Sequence, residues 1–140
     1  MLSVEDHIAI TQVLNLYGHL VDHREWGRFG EVFADDAVFD ATIMGGGRME
    51  GLDTIVTSFR DPDASHPLAH HLSNIVLTPG EDGTVRAISK GFGPRPEASD
   101  SRAVTYRDVL RRTPEGWRIA LRQSYVMVPR PNDVVWTPGG

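Results

Sequence analysis

Residues Val4–Arg24 read VEDHIAITQVLNLYGHLVDHR and hold the clearest helical periodicity of the chain. Their apolar side chains recur three or four positions apart, which places them on one stripe of a helix. The members of this stripe are Ile10, Val13, Leu14, Tyr17 and Val21. Ser3 is a candidate N-cap, and Glu5 and Asp6 lie in the first turn, where negative charge complements the helix dipole. The segment therefore predicts an amphipathic helix whose stripe packs against a core.

The part of the chain that follows this helix alternates short elements with turns. Glu25–Ala34 has aromatic residues on one side and predicts a second, shorter helix. Three consecutive glycines at 45–47 predict a turn between two strands, Ala37–Ile43 and Arg48–Glu50. Gly51–Phe59 then predicts a third short helix.

Beyond Pro67 the chain changes to runs rich in Val, Ile, Thr and aromatic residues, which favour strands. These runs are His70–Thr78, Thr84–Phe92, Arg102–Arg112 and Trp117–Val128. Links that contain Gly and Pro separate them, and such links favour antiparallel neighbours. Helices first and strands later predict an α+β domain, in which the helices close one face of an antiparallel sheet.

Length and composition indicate one domain. The chain has 140 residues, of which 40% are hydrophobic and 24% are charged, as is typical of a compact globular domain. We expect a core over about residues 5–128 and a C-terminal tail over 129–140. Because the sequence holds no cysteine, a disulfide framework, a zinc knuckle, an iron–sulfur cluster and a thiol nucleophile are all excluded.

The charges argue against two classes of partner. The chain carries 14 basic and 19 acidic residues, a formal net charge of −5, with both signs scattered along it. This distribution predicts no nucleic-acid binding. Acidic residues stand near the N-terminus where a secretory signal would be basic, and no apolar run has the length of a membrane span. The sequence therefore predicts a cytoplasmic protein with no membrane contact.

Two polar residues are candidates for proton transfer. Asp22 lies near the end of the first helix on the flank of its apolar stripe, and His70 opens the first of the late strands. An imidazole transfers protons near neutral pH, and a carboxylate on its other nitrogen would fix its tautomer and raise its basicity. Two plainer interpretations stand beside this one: a solvated acid, and a structural histidine. Periodicity leaves open whether His70 or His71 points inward, because both faces of the strand carry apolar residues.

The six histidines also raise the question of a metal. His19 and His23 are four positions apart on a helix, a spacing that allows two imidazoles to share one ion. The chain offers no third ligand at a recognisable spacing, and His66, His70 and His71 lie in another region. No nucleotide-binding glycine motif is present either. The sequence therefore predicts neither a metal site nor a cofactor.

Several motifs together carry a resemblance to a known family. They are Ile10-x-x-x-Leu14-x-x-Tyr17-x-x-x-x-Asp22-x-x-x-Trp26, Phe33-Ala34-Asp35-Asp36-Ala37-x-Phe39-Asp40, His70-x-x-x-Asn74, Tyr106-x-Asp108-x-Leu110-x-Arg112, and Gly116-Trp117-Arg118-Ile119-Ala120. In order and spacing, over roughly residues 5–128, the chain resembles the SnoaL-like branch of the nuclear-transport-factor-2-like superfamily. The resemblance implies a cone-shaped fold, in which a strongly bent antiparallel sheet and three N-terminal helices enclose an apolar pocket.

The resemblance also implies a chemistry. In lyases of this family an Asp and a His form a dyad, and Asp22 and His70 match those positions. Tyr17 matches a tyrosine of the bile-acid dehydratases and would bond a substrate oxygen. The implied function is a cofactor-free lyase or isomerase of the dehydratase or cyclase type, acting on an apolar cyclic or polycyclic small molecule. The alternative is a noncatalytic small-molecule-binding or assembly domain on the same scaffold.

Further contacts and an assembly complete the expectations. The residues expected to bind substrate are Trp26, Phe39, Asn74, Lys90 and Tyr125. On the strand that carries Lys90, Ser89 is the other polar candidate, and the sequence does not choose between the two. The outward face of the late strands retains apolar residues, and members of the family usually associate through that face. We therefore expect a homodimer or homotrimer.

Overall fold

A computed structural model gives the structure of the protein and describes residues 1–95 and 101–126. Its helices and strands are, in chain order, α1 (Val4–Asp22), a 3-10 helix (Trp26–Glu31), β1 (Phe33–Asp40), a 3-10 turn (Thr42–Met44), β2 (Arg48–Glu50), α2 (Leu52–Arg60), β3 (His71–Pro79), β4 (Val85–Pro94), β5 (Ser101–Thr113) and β6 (Gly116–Val126). The predicted tail, 129–140, lies outside the described residues.

Helix α1 confirms the predicted stripe. The Ser3 side chain accepts a hydrogen bond of 3.1 Å from the backbone N–H of Asp6 and so caps the helix. All five predicted stripe residues are buried. The Asp6 carboxylate in turn accepts a 2.9 Å bond from the indole Nε1 of Trp117, which ties the first turn of α1 to β6. The helix therefore lies across the sheet with its apolar side inward.

The six strands form one strongly curved sheet in the order β2-β1-β6-β5-β4-β3. This confirms the α+β class and the bent sheet. The expectation of a purely antiparallel sheet is wrong, because β1 and β6 pair in parallel. Link lengths predict the pairing only of strands adjacent in the chain. Since most of the chain separates β1 from β6, no local signal could report their direction.

Two predicted boundaries also change. The second helix is a short 3-10 helix that ends at Glu31, and Phe33 and Ala34 belong to β1 instead. The strand expected to reach Ile43 ends at Asp40, whose side chain accepts a 3.0 Å bond from the backbone N–H of Thr42. An Asp that bonds the backbone two residues later starts a turn, which explains the early end of the strand.

Two irregularities decide which strand residues face inward. The register between β5 and β6 shifts between Val109 and Leu110, opposite Ala120. Inward positions on β6 are therefore Trp117 and Ile119 before the shift. After the shift they are Arg122 and Ser124. Strand β3 is irregular between Ser73 and Val76, where Asn74 has a φ of 56°.

The core lies between the inner face of the sheet and the helices. Aromatic rings are concentrated near α2 and the start of β1: Tyr17, Trp26, Phe29, Phe33, Phe39 and Phe59 contact one another. Next to this cluster the inner face opens into a cavity, which Tyr17, Phe39 and Phe59 help to line. No helix among residues 1–95 and 101–126 is long and apolar enough to cross a membrane.

Candidate active site

The cavity has a volume of about 280 Å³. Its walls are mainly aromatic rings and methionines, contributed by Tyr17, Phe39, Phe59, Tyr106, Met44 and Met49. The polar lining comes from Ser58, Ser65, His66, His70, Arg102 and Ser124. An apolar cavity with a few convergent polar groups is the usual form of a small-molecule site. Since a cavity of roughly 150 Å³ holds benzene, this one has room for one or two fused rings.

Asp22 and His70 form the expected pair at one side of this cavity. One carboxylate oxygen of Asp22 lies 2.6 Å from Nδ1 of His70, and the other accepts a 3.0 Å bond from the backbone N–H of the same residue. The side chains are 18% and 9% exposed, respectively. Because both carboxylate oxygens bind one residue, Asp22 holds the ring and its backbone in a single orientation.

The contact with Asp22 fixes the state of the imidazole. A carboxylate accepts, so Nδ1 carries the hydrogen and Nε2 holds the lone pair. Burial lowers the pKa of His70 below its ordinary value, against the attraction of Asp22, and the positive charges of Arg122 and Arg24 lower it further. His70 is therefore a neutral base near pH 7, with Nε2 the nitrogen available to a ligand.

Close packing of glycines holds the segment that carries His70. A Cβ on Gly18 of α1 would lie 2.9 Å from the carbonyl oxygen of His70 and 3.2 Å from its Cβ. A Cβ on Gly93 of β4 would lie 2.0 Å from the carbonyl oxygen of Ala69. Only glycine allows the helix and the strand to approach the backbone of 69–70 this closely.

Tyr17 joins the His70 pair to a second pair deeper in the fold. Its ring stands edge-on to the His70 ring at a centroid distance of 5.9 Å, and the Cζ of Arg122 lies 4.3 Å from its centroid on another side. Burial raises the pKa of Tyr17 well above its ordinary value; Tyr106 adds to this effect and Arg122 opposes it. Tyr17 is thus a neutral phenol that can donate a hydrogen bond.

Arg122 and Asp108 form a buried ion pair that the sequence analysis did not identify. The guanidinium binds both carboxylate oxygens through bonds of 2.8 Å, and both side chains are 0% exposed. The guanidinium also stacks on Tyr106, with 4.2 Å from its Cζ to the ring centroid. Burial disfavours the charge of Arg122, but Asp108 and the tyrosines raise its pKa above the ordinary value. The interior therefore contains an ion pair whose guanidinium lies against two phenol rings.

One signal for this pair is present in the sequence. Asp108 alternates with Tyr106 and Leu110 on the inner face of β5, and an acid on an apolar face requires a buried partner. The partner could not be found in the same way, because counting by two from Trp117 and Ile119 skips Arg122.

Three polar atoms around this pair have no hydrogen-bond partner within residues 1–95 and 101–126. They are Oγ of Ser89, Oγ of Ser124 and Nη1 of Arg122, all buried. Ser89, Tyr106 and Ser124 stand in one row across β4, β5 and β6. Together with Asp108 and Arg122 this row forms the polar part of the inner face, and Ser124 and Tyr106 border the cavity.

The five residues expected to bind substrate lie in different places, and one of them lines the cavity. Phe39 lines the cavity, whereas Trp26 packs behind Phe59 and His66 with centroid distances of 6.1 and 5.7 Å. Asn74 is exposed in the irregular part of β3, where its amide oxygen accepts a 2.6 Å bond from Ser73.

The other two predicted residues of this set lie on the outer face of the sheet, opposite the cavity. Lys90 donates a 2.6 Å bond to Oγ1 of Thr105, and Tyr125 stacks with Arg107 at 5.1 Å. Of the two polar candidates on β4, Ser89 is the one on the inner face. Tyr125 faces outward because the register shift in β6 reverses the alternation. We therefore leave Asn74, Lys90 and Tyr125 out of the site.

The histidines do not form a cluster that could hold a metal. His19, His23 and His71 are exposed, and His66 and His70 line the cavity. Among the described residues there is no group of three or more His, Asp or Glu side chains arranged as metal ligands.

Known proteins resemble this chain in sequence, in fold or in both. An uncharacterised protein of Mycobacterium tuberculosis (strain ATCC 25618 / H37Rv) is 33% identical over 138 residues, which cover 87% of this chain and 88% of the relative. A crystal structure from Novosphingobium aromaticivorans, provisionally named an aromatic ring hydroxylase, is 31% identical, covers 92% of this chain and 94% of its own, and superposes with a TM-score of 0.69.

A more distant structure shares the fold alone. The hexachlorocyclohexane dehydrochlorinase LinA-type3 of Novosphingobium barchaimii LL02 superposes with a TM-score of 0.74 at 19% identity, over 96% of this chain and 97% of its own. The profile of the SnoaL-like domain matches residues 2–123. The chain belongs to the SnoaL-like domain family, within the nuclear-transport-factor-2-like superfamily.

Proposed function

We propose that this protein is a lyase or isomerase that acts on a small, apolar, cyclic molecule, with His70 as general base. One observation carries the proposal: a neutral imidazole, oriented by Asp22 at 2.6 Å, borders an apolar cavity, and its other nitrogen has no hydrogen-bond partner among residues 1–95 and 101–126. A base held in this way can reach an acidic C–H bond of a ligand without competition from a protein donor.

The proposed first step is a proton transfer to His70. Nε2 takes a proton from a carbon next to a carbonyl or a leaving group, and the electron pair of the broken C–H bond forms a double bond. The imidazolium that results is stabilised by the negative charge of Asp22. In an elimination the leaving group departs with the electron pair of its own bond; in an isomerisation His70 returns the proton to another carbon of the ligand.

The buried ion pair supports the charge that develops on the ligand. Tyr17 and Tyr106 are neutral phenols that border the cavity, and each stacks on Arg122. A cation behind a phenol makes its hydroxyl a better donor to an oxyanion or a departing group, because the field favours negative charge in front of it. Tyr17 is therefore the proposed donor to the substrate oxygen. These steps use only side chains of the protein.

One structural neighbour supports this class of reaction, and the names of two neighbours support a ring compound as the ligand. One distant structural neighbour is named a dehydrochlorinase, an enzyme that removes a proton and a chloride. A nearer neighbour is provisionally named an aromatic ring hydroxylase. Both names refer to ring compounds, and a cavity of about 280 Å³ fits such compounds.

Base catalysis of this kind is tested by proton exchange. Purified protein is incubated in D₂O with a panel of one- and two-ring ketones, alcohols and chlorides, and exchange or elimination is followed by NMR and mass spectrometry. We expect His70→Gln and Asp22→Asn each to lose about 100- to 10,000-fold of the rate. The matched control is His71→Gln, which changes the exposed neighbour and should keep the activity.

The noncatalytic alternative makes the opposite prediction. A binding or assembly domain would take up ring compounds with no exchange, and His70→Gln would alter affinity alone. Full turnover in both dyad variants, on a substrate that the panel identifies, would show that the base lies elsewhere.

We also propose that the outer face of the sheet joins two copies of the chain in a homodimer. This face carries exposed apolar side chains, including Val76 and Ile88, which are 57% and 40% exposed. Arg86 and Arg107 flank them on the same face. Such a mixture suits a closed interface with a charged rim, and a homotrimer is the alternative assembly. A cytoplasmic location and a single-domain organisation stay predictions from the sequence.

Light scattering tests the assembly. We expect a mass near twice the 15.5 kDa of one chain at micromolar concentration, and near 15.5 kDa for Ile88→Glu. A wild-type mass of one chain would contradict the proposed dimer.

A further inference from the structure

His66 borders the same cavity and has no part in the proposed chemistry. It lies between α2 and β3, where its ring stacks on Phe59 at a centroid distance of 5.2 Å and an interplanar angle of 23°. The Trp26 ring is 5.7 Å away. Two aromatic neighbours and a short segment before Pro67 hold the ring in place. An imidazole fixed in a cavity wall must serve either packing or recognition.

One hydrogen bond determines the tautomer of His66. Nε2 lies 2.9 Å from the backbone carbonyl oxygen of Phe59. A carbonyl oxygen can only accept, so Nε2 carries the hydrogen and donates it. In the neutral ring Nδ1 then has a lone pair and no hydrogen.

The surroundings favour the neutral ring. Burial lowers the pKa of His66, and the bond to the Phe59 carbonyl opposes this effect in part. The charged or titratable groups that act on the ring are Arg24 and His70, and both lower its pKa further. No carboxylate among the described residues acts on it. Near pH 7 Nδ1 is therefore an acceptor, and it is the ring's only polar atom not already bonded to protein.

We propose that His66 determines specificity, and that its Nδ1 accepts a hydrogen bond from a hydroxyl or N–H group of the ligand. Nδ1 has no hydrogen-bond partner in the described part of the chain and is not among the fully enclosed polar atoms there. Phe59 and Pro67, which also line the cavity, offer a ligand no acceptor side chain. Ser58 and Ser65 contribute hydroxyls to the lining, but a hydroxyl can donate as well as accept, whereas the bare Nδ1 of a neutral imidazole only accepts. The inference rests on the proposed function only in that a ring compound occupies this cavity; it does not require His70 to act as a base.

The preferred ligand is consequently a ring that bears a donor group at the His66 side. A ligand that lacks the donor leaves Nδ1 without water and without a partner, which costs about as much as one neutral hydrogen bond. We expect the hydroxyl compound to bind with a dissociation constant about tenfold lower than that of its methyl ether.

Nitrogen NMR tests the tautomer and the contact directly. Long-range ¹H–¹⁵N spectra of the uniformly labelled protein should show a protonated Nε2 and a bare Nδ1 for His66. Addition of 2-naphthol should shift the Nδ1 resonance towards that of a bonded acceptor, and 2-methoxynaphthalene should not. A protonated Nδ1, or no response of this resonance to 2-naphthol, would overturn the proposal.

Substitutions distinguish the proposed role of His66 in ligand recognition from the role of the Asp22–His70 pair and from a purely structural role. His66→Gln retains a side-chain N–H for the Phe59 carbonyl, and His66→Asn retains an acceptor near the position of Nδ1. We expect His66→Gln to lose the preference for 2-naphthol and His66→Asn to keep part of it, with circular dichroism confirming that both fold. His70→Gln should abolish proton exchange and leave the preference intact. If His70→Gln instead removes the preference, the acceptor is His70 and the proposal for His66 is wrong.

Discussion

Two acid–base pairs built from similar parts lie at different depths of the fold, one at the wall of the cavity and one behind it. Asp22 and His70 lie at its wall, 18% and 9% exposed, whereas Asp108 and Arg122 lie in the interior at 0%. In each pair a carboxylate receives two N–H groups at hydrogen-bond distance. The depth of burial and the identity of the base distinguish them.

The difference shows how burial acts on groups of different intrinsic pKa. An imidazole has an ordinary pKa of about 6.5, so burial is enough to keep His70 neutral despite its carboxylate. A guanidinium stays charged under any condition in which a protein folds. The first pair can therefore move a proton, and the second can only supply a constant field.

The largest expected effect comes from breaking the interior pair. Arg122→Met leaves Asp108 as an uncompensated buried charge, which typically costs about 3–5 kcal/mol in unfolding free energy. Urea denaturation should show this loss. The double variant Arg122→Met/Asp108→Leu removes both charges and should recover a large part of it. A wild-type urea midpoint for Arg122→Met alone would mean that the burial of the Asp108 carboxylate does not require Arg122.

The second effect tests the packing that positions the wall pair. Gly18→Ala puts a methyl group 2.9 Å from the carbonyl oxygen of His70, and we expect a cost of about 1–3 kcal/mol from the forced backbone shift. Gly27→Ala is the control, because a Cβ there meets nothing within 4 Å. Urea midpoints measure both. Equal midpoints for the two variants would show that α1 can move away from His70 freely.

The third prediction concerns the titration of His70. Its pKa is lowered in the folded protein, so the unfolded chain binds the proton more readily. The contribution of His70 to stability is thus present at neutral pH and decreases as the pH falls through the region below about 6.5. Activity that depends on the neutral base should decrease over the same interval.

Substitution of Asp22, the carboxylate partner of His70, tests this prediction more directly. Asp22→Asn removes an attraction that raises the pKa of His70, so an NMR titration should show a lower midpoint in this variant than in the wild type. Asp53→Asn, an exposed acid on α2, should leave the midpoint in place. A higher midpoint in Asp22→Asn would contradict the balance of burial and charge described above.

The smallest effect is expected from a surface group in which one arginine pairs with two glutamates. Arg28 binds Glu25 and Glu31 at 2.7 Å, with side chains that are 39–48% exposed. Water and salt screen such pairs, so Arg28→Gln should leave the urea midpoint unchanged within error. A loss comparable to that of Arg122→Met would show that burial is not the property that separates the pairs.

Much of the site could be predicted from local patterns. The stripe of α1 places Tyr17 inward and Asp22 on its flank, because one helix fixes the angle between them. The predicted contact between Asp22 and His70 is present, although His70 lies just before β3 and not within it. Phe39 lines the cavity, as expected of an apolar residue on a half-buried strand.

Two of the errors, Asn74 and Tyr125, have a common cause in the backbone of the strands, whereas Lys90 faces outward by the regular alternation of β4. Regular alternation along an ideal strand would place Asn74 on the inner face with Leu72, and Tyr125 on the inner face with Trp117 and Ile119. The irregularity in β3 and the register shift in β6 each reverse this alternation. A shift of one residue moves all later side chains to the other face. The register shift that turns Tyr125 outward also places Arg122 in the interior.

By itself the sequence determined the element types, the α+β class and the helix that carries Tyr17 and Asp22, since periodicity and capping act over a few neighbouring residues. The tertiary structure decided the parallel pairing of β1 with β6, the partner of Asp108 and the tautomer of His66. Each of these depends on groups distant in the chain, or on backbone atoms whose position no side-chain pattern encodes. Burial is a property of the assembled fold, and it is burial that keeps His70 neutral beside a carboxylate.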